Sequence, residues 1–95
     1  MTESNTIPNK YALSQNFPNP FNPTTEIRFS IPQASNVKLT VYDIIGKEVG
    51  VVVNEYLSAG TYNYTWNARN LASGIYFYRI EAKNFVRVKK MVLLK

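Results

Sequence analysis

TTEIRFSIP, at residues 24–32, alternates apolar and polar side chains along its length. Neighbouring side chains of an extended chain point to opposite faces, so Ile27, Phe29 and Ile31 share one face and polar residues share the other. Pro32 ends the pattern, because proline has no backbone N–H group to give to a sheet. The stretch therefore predicts a β-strand with one buried face.

The same period of two recurs through most of the remaining chain. It is present at residues 36–43 (NVKLTVYD), 61–67 (TYNYTWN) and 75–82 (IYFYRIEA). Two further strands are predicted at residues 48–53, where both faces look partly buried, and at residues 85–94. Turn signals separate these stretches at residues 46–47, 57–60, 70–74 and 83–84. No window has the apolar spacing of a helix, so we predict no helix.

Six or seven short strands with a turn about every 8–12 residues are typical of an all-β fold. We predict an immunoglobulin-like antiparallel β-sandwich of about seven strands, with a small barrel as the alternative. In either fold we expect Trp66, the one tryptophan of the chain, at the centre of the core, because a small domain needs large side chains to bury enough area.

Length and composition indicate one compact domain. The chain has 95 residues, of which 45% are hydrophobic and 18% charged, and this is too apolar for a disordered tail. Residues 1–15 are polar and aperiodic, so we interpret them as a linker and assign the sandwich to residues 16–95. They lack the apolar segment of a secretory signal, which favours a domain taken from a longer protein. No apolar run reaches the roughly 18–20 residues of a membrane-spanning helix, so we do not expect a transmembrane segment.

A proline-rich segment, FPNPFNP at residues 17–23, precedes the first predicted strand. Each proline removes a backbone donor and favours extended geometry in the residue before it, which excludes a helix and a central strand. We expect an extended edge in which Phe17 and Phe21 close one end of the core.

The positive charge lies at the C-terminal end. The net charge is +5. The stretch from residue 79 onward accounts for it, because it contains six basic residues and one acidic residue, Glu81. Such an end favours phosphates, anionic lipid, acidic sugars or an acidic protein groove.

The final stretch also breaks the alternation. Apolar residues occupy one face before Lys90 and both faces after it. We therefore expect either a bulge near Lys89 and Lys90, or a terminal segment that leaves the sheet and presents Met91 to Leu94 to a partner.

The residue types argue against catalysis and cofactors. The chain has no histidine and no cysteine, so the commonest general base and the most reactive nucleophile are absent. The scattered carboxylates lack the density of a metal site. The aromatic residues of 61–67 alternate with polar ones, as those of a core-facing strand do, and no RNA-binding signature is present. We expect no enzyme activity, no cofactor, no metal and no nucleic-acid partner.

Two short motifs share the form small–Gly–x–Tyr. They are Ala59-Gly60-Thr61-Tyr62 and Ser73-Gly74-Ile75-Tyr76, and each lies where a loop enters a predicted strand. Glycine suits the turn, and the tyrosine that follows faces the core.

The order of these segments resembles the type A C-terminal sorting domain of the type IX secretion system, the Por secretion system C-terminal sorting domain family of Bacteroidetes-like bacteria. The resemblance is carried by YALSQNFPNPFNPTTEIRFSIP, VKLTVYDIIGKEV, LSAGTYNYTW, LASGIYFYRIEA and VRVKKMVLLK, which together span nearly all of residues 11–95.

This resemblance implies a non-catalytic secretion signal. Its cargo would lie N-terminal to it, and its partners would be the outer-membrane translocon and a sortase that joins the cargo to the cell surface after passage through the periplasm. The structural motif residues would be Gly60, Tyr62, Gly74 and Tyr76. The recognition residues would be Lys90, Met91, Val92, Leu93, Leu94 and Lys95.

Two alternatives stay open at this point. One is a structural or carbohydrate-binding β-sandwich module of a surface or secreted enzyme, which would use exposed aromatic side chains. The other concerns assembly, because an unpaired edge strand leaves room for dimerisation or for addition of a partner strand.

Overall fold

The computed structural model describes residues 7–95, which form seven strands and no helix. The strands are β1 (Ala12–Leu13), β2 (Thr24–Ile31), β3 (Ser35–Tyr42), β4 (Glu48–Leu57), β5 (Gly60–Asn67), β6 (Gly74–Ala82) and β7 (Phe85–Leu93). The predicted all-β fold is confirmed.

The strands form two antiparallel sheets. One has the order β1-β2-β5 and the other the order β4-β3-β6-β7. Strands two and five are paired in one sheet, and strands three, six and seven in the other, as in an immunoglobulin-like sandwich. The edges of the larger sheet are β4 and β7, so the C-terminal strand is an edge strand.

The core lies between the two sheets and is built from the faces that the alternation predicts. On β2, Ile27, Phe29 and Ile31 are fully buried. Across the sandwich β3 supplies three fully buried residues at every second position, and β6 supplies Tyr78 and Ile80. Complete burial of one such aliphatic side chain is worth roughly 1.5–3 kcal/mol, so these rows stabilise the pairing of the sheets.

The expected position of Trp66 at the centre of the core is wrong. Its side chain is only partly buried and packs at the edge of the core, against Gly50 on β4. A Cβ atom at Gly50 would overlap the indole ring. The physical reason is that β5 is the edge strand of the smaller sheet, so its inward-facing side chains are covered on one side only. Phe29 and Tyr78 are the largest fully buried side chains instead.

The predicted disturbance in the final strand is also wrong. β7 pairs with β6 in an unbroken register from Phe85 opposite Ala82 to Leu93 opposite Gly74. Met91 and Leu93 are fully buried in the core. The second apolar face of the strand, which carries Val86 and Val88, lies on the outer side of the sheet. Both side chains therefore remain about half-exposed.

The packed region begins earlier than the predicted linker boundary at residue 15. β1 lies within that segment and pairs with β2, and Leu13 is buried. The Tyr11 ring stacks on Phe85 of β7, with 5.1 Å between the ring centroids. The linker interpretation of residues 1–6 lies outside the described residues.

The two phenylalanines of the proline-rich segment have different environments. Phe21 is buried and forms a parallel bridge with Leu93, whereas Phe17 is 78% exposed and forms an antiparallel bridge with Glu26. The prediction that both rings close the core is therefore right for Phe21 and wrong for Phe17. Phe17 and Phe21 are an even number of residues apart, which predicts a shared face only in a regular strand. The three prolines of this segment prevent a regular strand.

Two of the connections have specific turn chemistry. In the β3–β4 turn, Asp43 accepts backbone hydrogen bonds from Ile45 and Lys47, and Gly46 has a φ of 88°. In the β6–β7 hairpin, Lys83 takes the left-handed conformation with a φ of 53°. Both turns lie where the sequence predicts them.

Candidate recognition site at the end of the terminal strand

The six residues expected to form a recognition site divide into two groups. Met91 and Leu93 are buried in the core and Val92 is half-buried. Lys90, Leu94 and Lys95 are exposed, with Leu94 at 60%. An outside partner can therefore reach the second group directly, while the first group holds the strand in place.

Lys95 is fixed by the loop between β5 and β6. Its backbone N–H donates to Ser73 Oγ at 2.9 Å, and its Nζ donates to the carbonyl oxygen of Arg69 at 2.6 Å. The end of the chain is thus held against the sandwich.

The outer edge of the terminal strand is covered where β7 ends. Phe21 N–H donates to the Val92 carbonyl at 2.9 Å, and Leu94 N–H donates to the Phe21 carbonyl at 3.0 Å. The side chain of Asn19 accepts from Val92 N–H at 2.9 Å. Residues 91–94 therefore do not offer a free strand edge, because the proline-rich segment occupies that edge.

The next outward-facing carbonyl is covered as well. Gln15 Nε2 donates to the Lys90 carbonyl oxygen at 2.7 Å, and also to the side-chain oxygen of Asn16 at 2.7 Å. Residues 15–21 thus follow the edge of β7 from Lys90 to the end of the strand.

A buried polar network holds this covering segment in place. Asn16, which is 2% exposed, donates from Nδ2 to Thr25 Oγ1 at 2.9 Å and to the Pro18 carbonyl at 3.1 Å. Thr25 donates its hydroxyl to the same carbonyl at 2.8 Å. The polar atoms are paired with one another, which is the condition for burying them at low cost.

Tyr78 connects the network to the core. Its hydroxyl donates to the Ser14 carbonyl at 2.7 Å and accepts from Asn16 N–H at 2.8 Å. Burial disfavours the phenolate and raises the pKa of Tyr78 to about 12. The hydrogen bond from Asn16 N–H lowers the pKa, but its effect is smaller than that of burial. The hydroxyl is therefore a neutral, fully used hydrogen-bonding group at physiological pH.

The two small–Gly–x–Tyr motifs form the same local contact. Tyr62 donates its hydroxyl to the Ser58 carbonyl at 2.6 Å, and Tyr76 donates to the Ala72 carbonyl at 2.7 Å, each four residues back along the chain. Each tyrosine therefore ties the start of its strand to the preceding loop.

Only the second motif lies beside the C-terminal residues. Gly74 is opposite Leu93 and Tyr76 is opposite Met91 in the β6–β7 pairing. The first motif belongs to β5 in the other sheet, as does Trp66. The structure thus brings Gly74 and Tyr76 to the candidate site and leaves Gly60, Tyr62 and Trp66 away from it.

The aromatic side chains leave little surface for a stacked ligand. Tyr62 and Tyr64 stack on Phe29, with centroid distances of 5.5 and 5.9 Å. The strongly exposed rings within residues 7–95 are Phe17 and Tyr56, at 78% and 66%. They lie on strands of different sheets or beside them, so they form no common platform.

The terminal strand carries cations that have no ion-pair partner among the described residues. Within residues 7–95 the ion pair joins Arg79 and Glu81, both on β6, at 3.0 Å. Over the same residues, Lys89, Lys90 and Lys95 have no carboxylate within 4 Å. No group of three or more acidic side chains in the described part of the chain could hold a metal ion. In these residues there is also no helix long and apolar enough to cross a membrane.

Sequence reasoning missed Gln15 and Asn19, which cover the terminal edge. It also missed Asn16, Thr25 and Tyr78, which hold the covering segment in place. The available signal was the set of amide side chains interleaved with prolines at residues 15–23, since amides can replace the backbone donors that prolines lack.

The fold and site define a small β-sandwich signal or binding domain whose C-terminal residues are held at the surface. The family model described as the secretion system C-terminal sorting domain matches residues 15–94. The chain therefore belongs to the type IX secretion C-terminal sorting domain family. A search among curated proteins finds no match.

Family membership defines the function at a coarse level. The domain is a C-terminal sorting signal for type IX secretion, which implies export to the cell surface or the extracellular space and contact with the secretion machinery. Domains of this family are generally non-catalytic.

Proposed function

We propose that this domain carries an N-terminal cargo from the periplasm through the outer-membrane translocon, and that a sortase then removes it and attaches the cargo to the cell surface. The domain takes part as an address and as a substrate, without chemistry of its own. The recognition surface in this proposal consists of Lys90, Leu94 and Lys95.

One observation carries the proposal. The C-terminal residues divide into buried Met91 and Leu93, which hold the strand, and exposed Lys90, Leu94 and Lys95, which a partner can reach. Two ammonium groups and one apolar side chain at the chain end favour a partner groove with carboxylates around an apolar floor. Val92 is half-buried and helps to hold both groups in place.

The test fuses residues 11–95 to a periplasmic reporter in a host that has this secretion system. We expect export, and we expect the double variant Lys90→Glu, Lys95→Glu to lower it about tenfold or more, since reversal of charges at an interface costs several kcal/mol. Lys47→Glu, on the exposed β3–β4 turn, is the matched control and should be exported normally.

Deletion of residues 91–95 would be a poor test, because it removes core side chains along with exposed ones. The charge-reversed fusions should instead keep the thermal unfolding midpoint of the parent domain, which separates recognition from folding. Full export of the double variant would contradict the proposed recognition surface.

The proposed sortase cut lies before Tyr11. Proteases and sortases act on accessible, extended chain, whereas Leu13 and Asn16 are buried in the domain. Mass spectrometry of secreted cargo should therefore find a new C-terminus N-terminal to Tyr11. A secreted cargo intact through Lys95 would contradict removal of the domain.

A further inference from the structure

Among the described residues, the first half of β7 has no hydrogen-bond partner along its outer edge. Val92 directs its N–H and C=O groups away from β6, since they bond to Asn19 and Phe21. The pairing with β6 is unbroken, so the same direction holds at every second residue, and Val88 and Val86 also face outward. Within residues 7–95, neither has a backbone partner on that side.

This free edge carries apolar side chains on one face and cations on the other. Val86 and Val88 are 55% and 50% exposed on the outer face of the larger sheet. Arg87 and Lys89 belong to the opposite face, where Arg87 lies over the Phe85 ring at 5.0 Å. In the described chain neither cation has a carboxylate within 4 Å.

The opposite edge of the same sheet is less regular. β4 pairs with β3 through two register shifts, between Leu39 and Thr40 and between Val41 and Tyr42. Such bulges are a common protection against pairing of exposed edges. β7 has no shift.

We propose that residues 85–89 of β7 accept an extended acidic peptide of a partner protein as an added strand. Directly opposed residues of paired strands share a face, so the peptide alternates acidic residues beside Arg87 and Lys89 with apolar residues beside Val86 and Val88. This surface is separate from the terminal recognition surface of Lys90, Leu94 and Lys95, and the proposal stands without it.

The charges select this occupant over a second copy of the chain. An antiparallel pairing of two β7 strands would bring Arg87 and Lys89 of both copies together, and like charges directly opposite one another are destabilising. The same cations protect the edge from self-association. A nucleic acid would satisfy the charges but would not supply the alternating donors and acceptors that a strand edge requires.

The test uses a capped synthetic peptide of about ten residues that alternates Glu with Val or Thr, matching the length of an ordinary strand. Its binding to the full 95-residue chain is measured by calorimetry at low salt. We expect saturable binding that weakens as salt is added, because the contacts include exposed charges.

Val88→Pro is the decisive variant, since it removes an outward N–H group that the fold does not use, and edge strands tolerate proline there. It should weaken binding about tenfold or more, the cost of lost strand pairing. Val88→Thr keeps the N–H group and should bind like the parent.

A second arm avoids any change to the protein. The same peptide with three consecutive central amides N-methylated should also lose binding, because both of its edges are then blocked. Unchanged binding of Val88→Pro or of the N-methylated peptide would overturn the proposal and leave attraction by charge alone. Dimerisation of the parent chain that Val88→Pro abolishes would overturn the choice of partner. None of these outcomes depends on export.

Discussion

At the residue scale, two buried or half-buried contacts explain most of the features of the fold that the alternation of apolar and polar residues does not predict. Tyr78 joins the core to the segment before β2 through hydrogen bonds to Ser14 and Asn16. Gly50 leaves room for the indole ring of Trp66, which a side chain at that position would displace. The first contact depends on the hydroxyl oxygen of Tyr78, and the second depends on the absence of a Cβ atom at Gly50.

Tyr78→Phe tests the first contact. The change leaves the Ser14 carbonyl and the Asn16 N–H without their partner, so we expect the free energy of unfolding to fall by about 1–3 kcal/mol. Urea denaturation at neutral pH measures the loss. Tyr56→Phe, at an exposed position, is the control and should change little.

The same residue predicts a pH dependence. The pKa of Tyr78 in the folded chain is raised to about 12, above the ordinary value of 10.0, so folding favours the neutral phenol. Its contribution is complete below about pH 10 and is lost as the pH rises through about 12. Stability measured across this range should decline less steeply in Tyr78→Phe than in the parent. Parallel curves would contradict the assignment.

Gly50→Ala tests the second contact. The new Cβ atom overlaps the Trp66 ring, and such overpacking typically costs about 1–3 kcal/mol. Trp66 is the one tryptophan of the chain, so its fluorescence should shift to longer wavelength as the ring moves toward water. An unshifted emission spectrum with unchanged stability would contradict the described packing.

At the scale of the element, β7 has a different role in each of its parts. The part that contains Met91 and Leu93 is a core strand covered by the proline-rich segment. The part that contains Val86 and Val88 has no backbone partner on its outer edge among residues 7–95. A continuous strand can therefore hold the fold together and still offer binding surface.

Alanine substitutions separate the two environments at the end of this strand. Met91→Ala should lower the free energy of unfolding by about 2–5 kcal/mol, because it leaves a cavity in the core. Leu94→Ala, at a position that is 60% exposed, should change it by less than about 0.5 kcal/mol. Equal losses in chemical denaturation would contradict the division of the C-terminal residues.

At the scale of the whole molecule, the first and last packed segments depend on each other. Residues 11–21 contact β7 at Phe85, Lys90 and Leu93. Packing contacts thus reach back to Tyr11, within the segment predicted to be a linker.

Truncations from the N-terminus test how far the fold depends on these contacts. Removal of residues 1–10 should leave the thermal unfolding midpoint nearly unchanged, since it keeps β1 and the stack of Tyr11 on Phe85. Removal of residues 1–16 also takes away Leu13 and the Asn16 network, and should lower the free energy of unfolding by about 3 kcal/mol or more. Equal midpoints for the two truncated chains would contradict the extended boundary.

The sequence allows the architecture to be predicted because alternation reports which face of each strand is buried. Ile27, Phe29 and Ile31 illustrate this, and so do the turns at Gly46 and Lys83. Alternation does not report which strands lie at sheet edges, and therefore Trp66 was expected too deep in the core. It also cannot show that a proline-rich segment returns to cover the last strand, because that pairing joins residues more than 70 positions apart.

The parallel bridge between Phe21 and Leu93 has a mechanical consequence. A force that pulls the preceding chain in one direction, while the C-terminal end is held in the other, acts along the length of these two adjacent segments. The hydrogen bonds from Phe21 to Val92 and from Leu94 to Phe21 are then loaded together in shear rather than opened one at a time. A pull between the chain that precedes Phe21 and the C-terminal end must therefore break both hydrogen bonds at once.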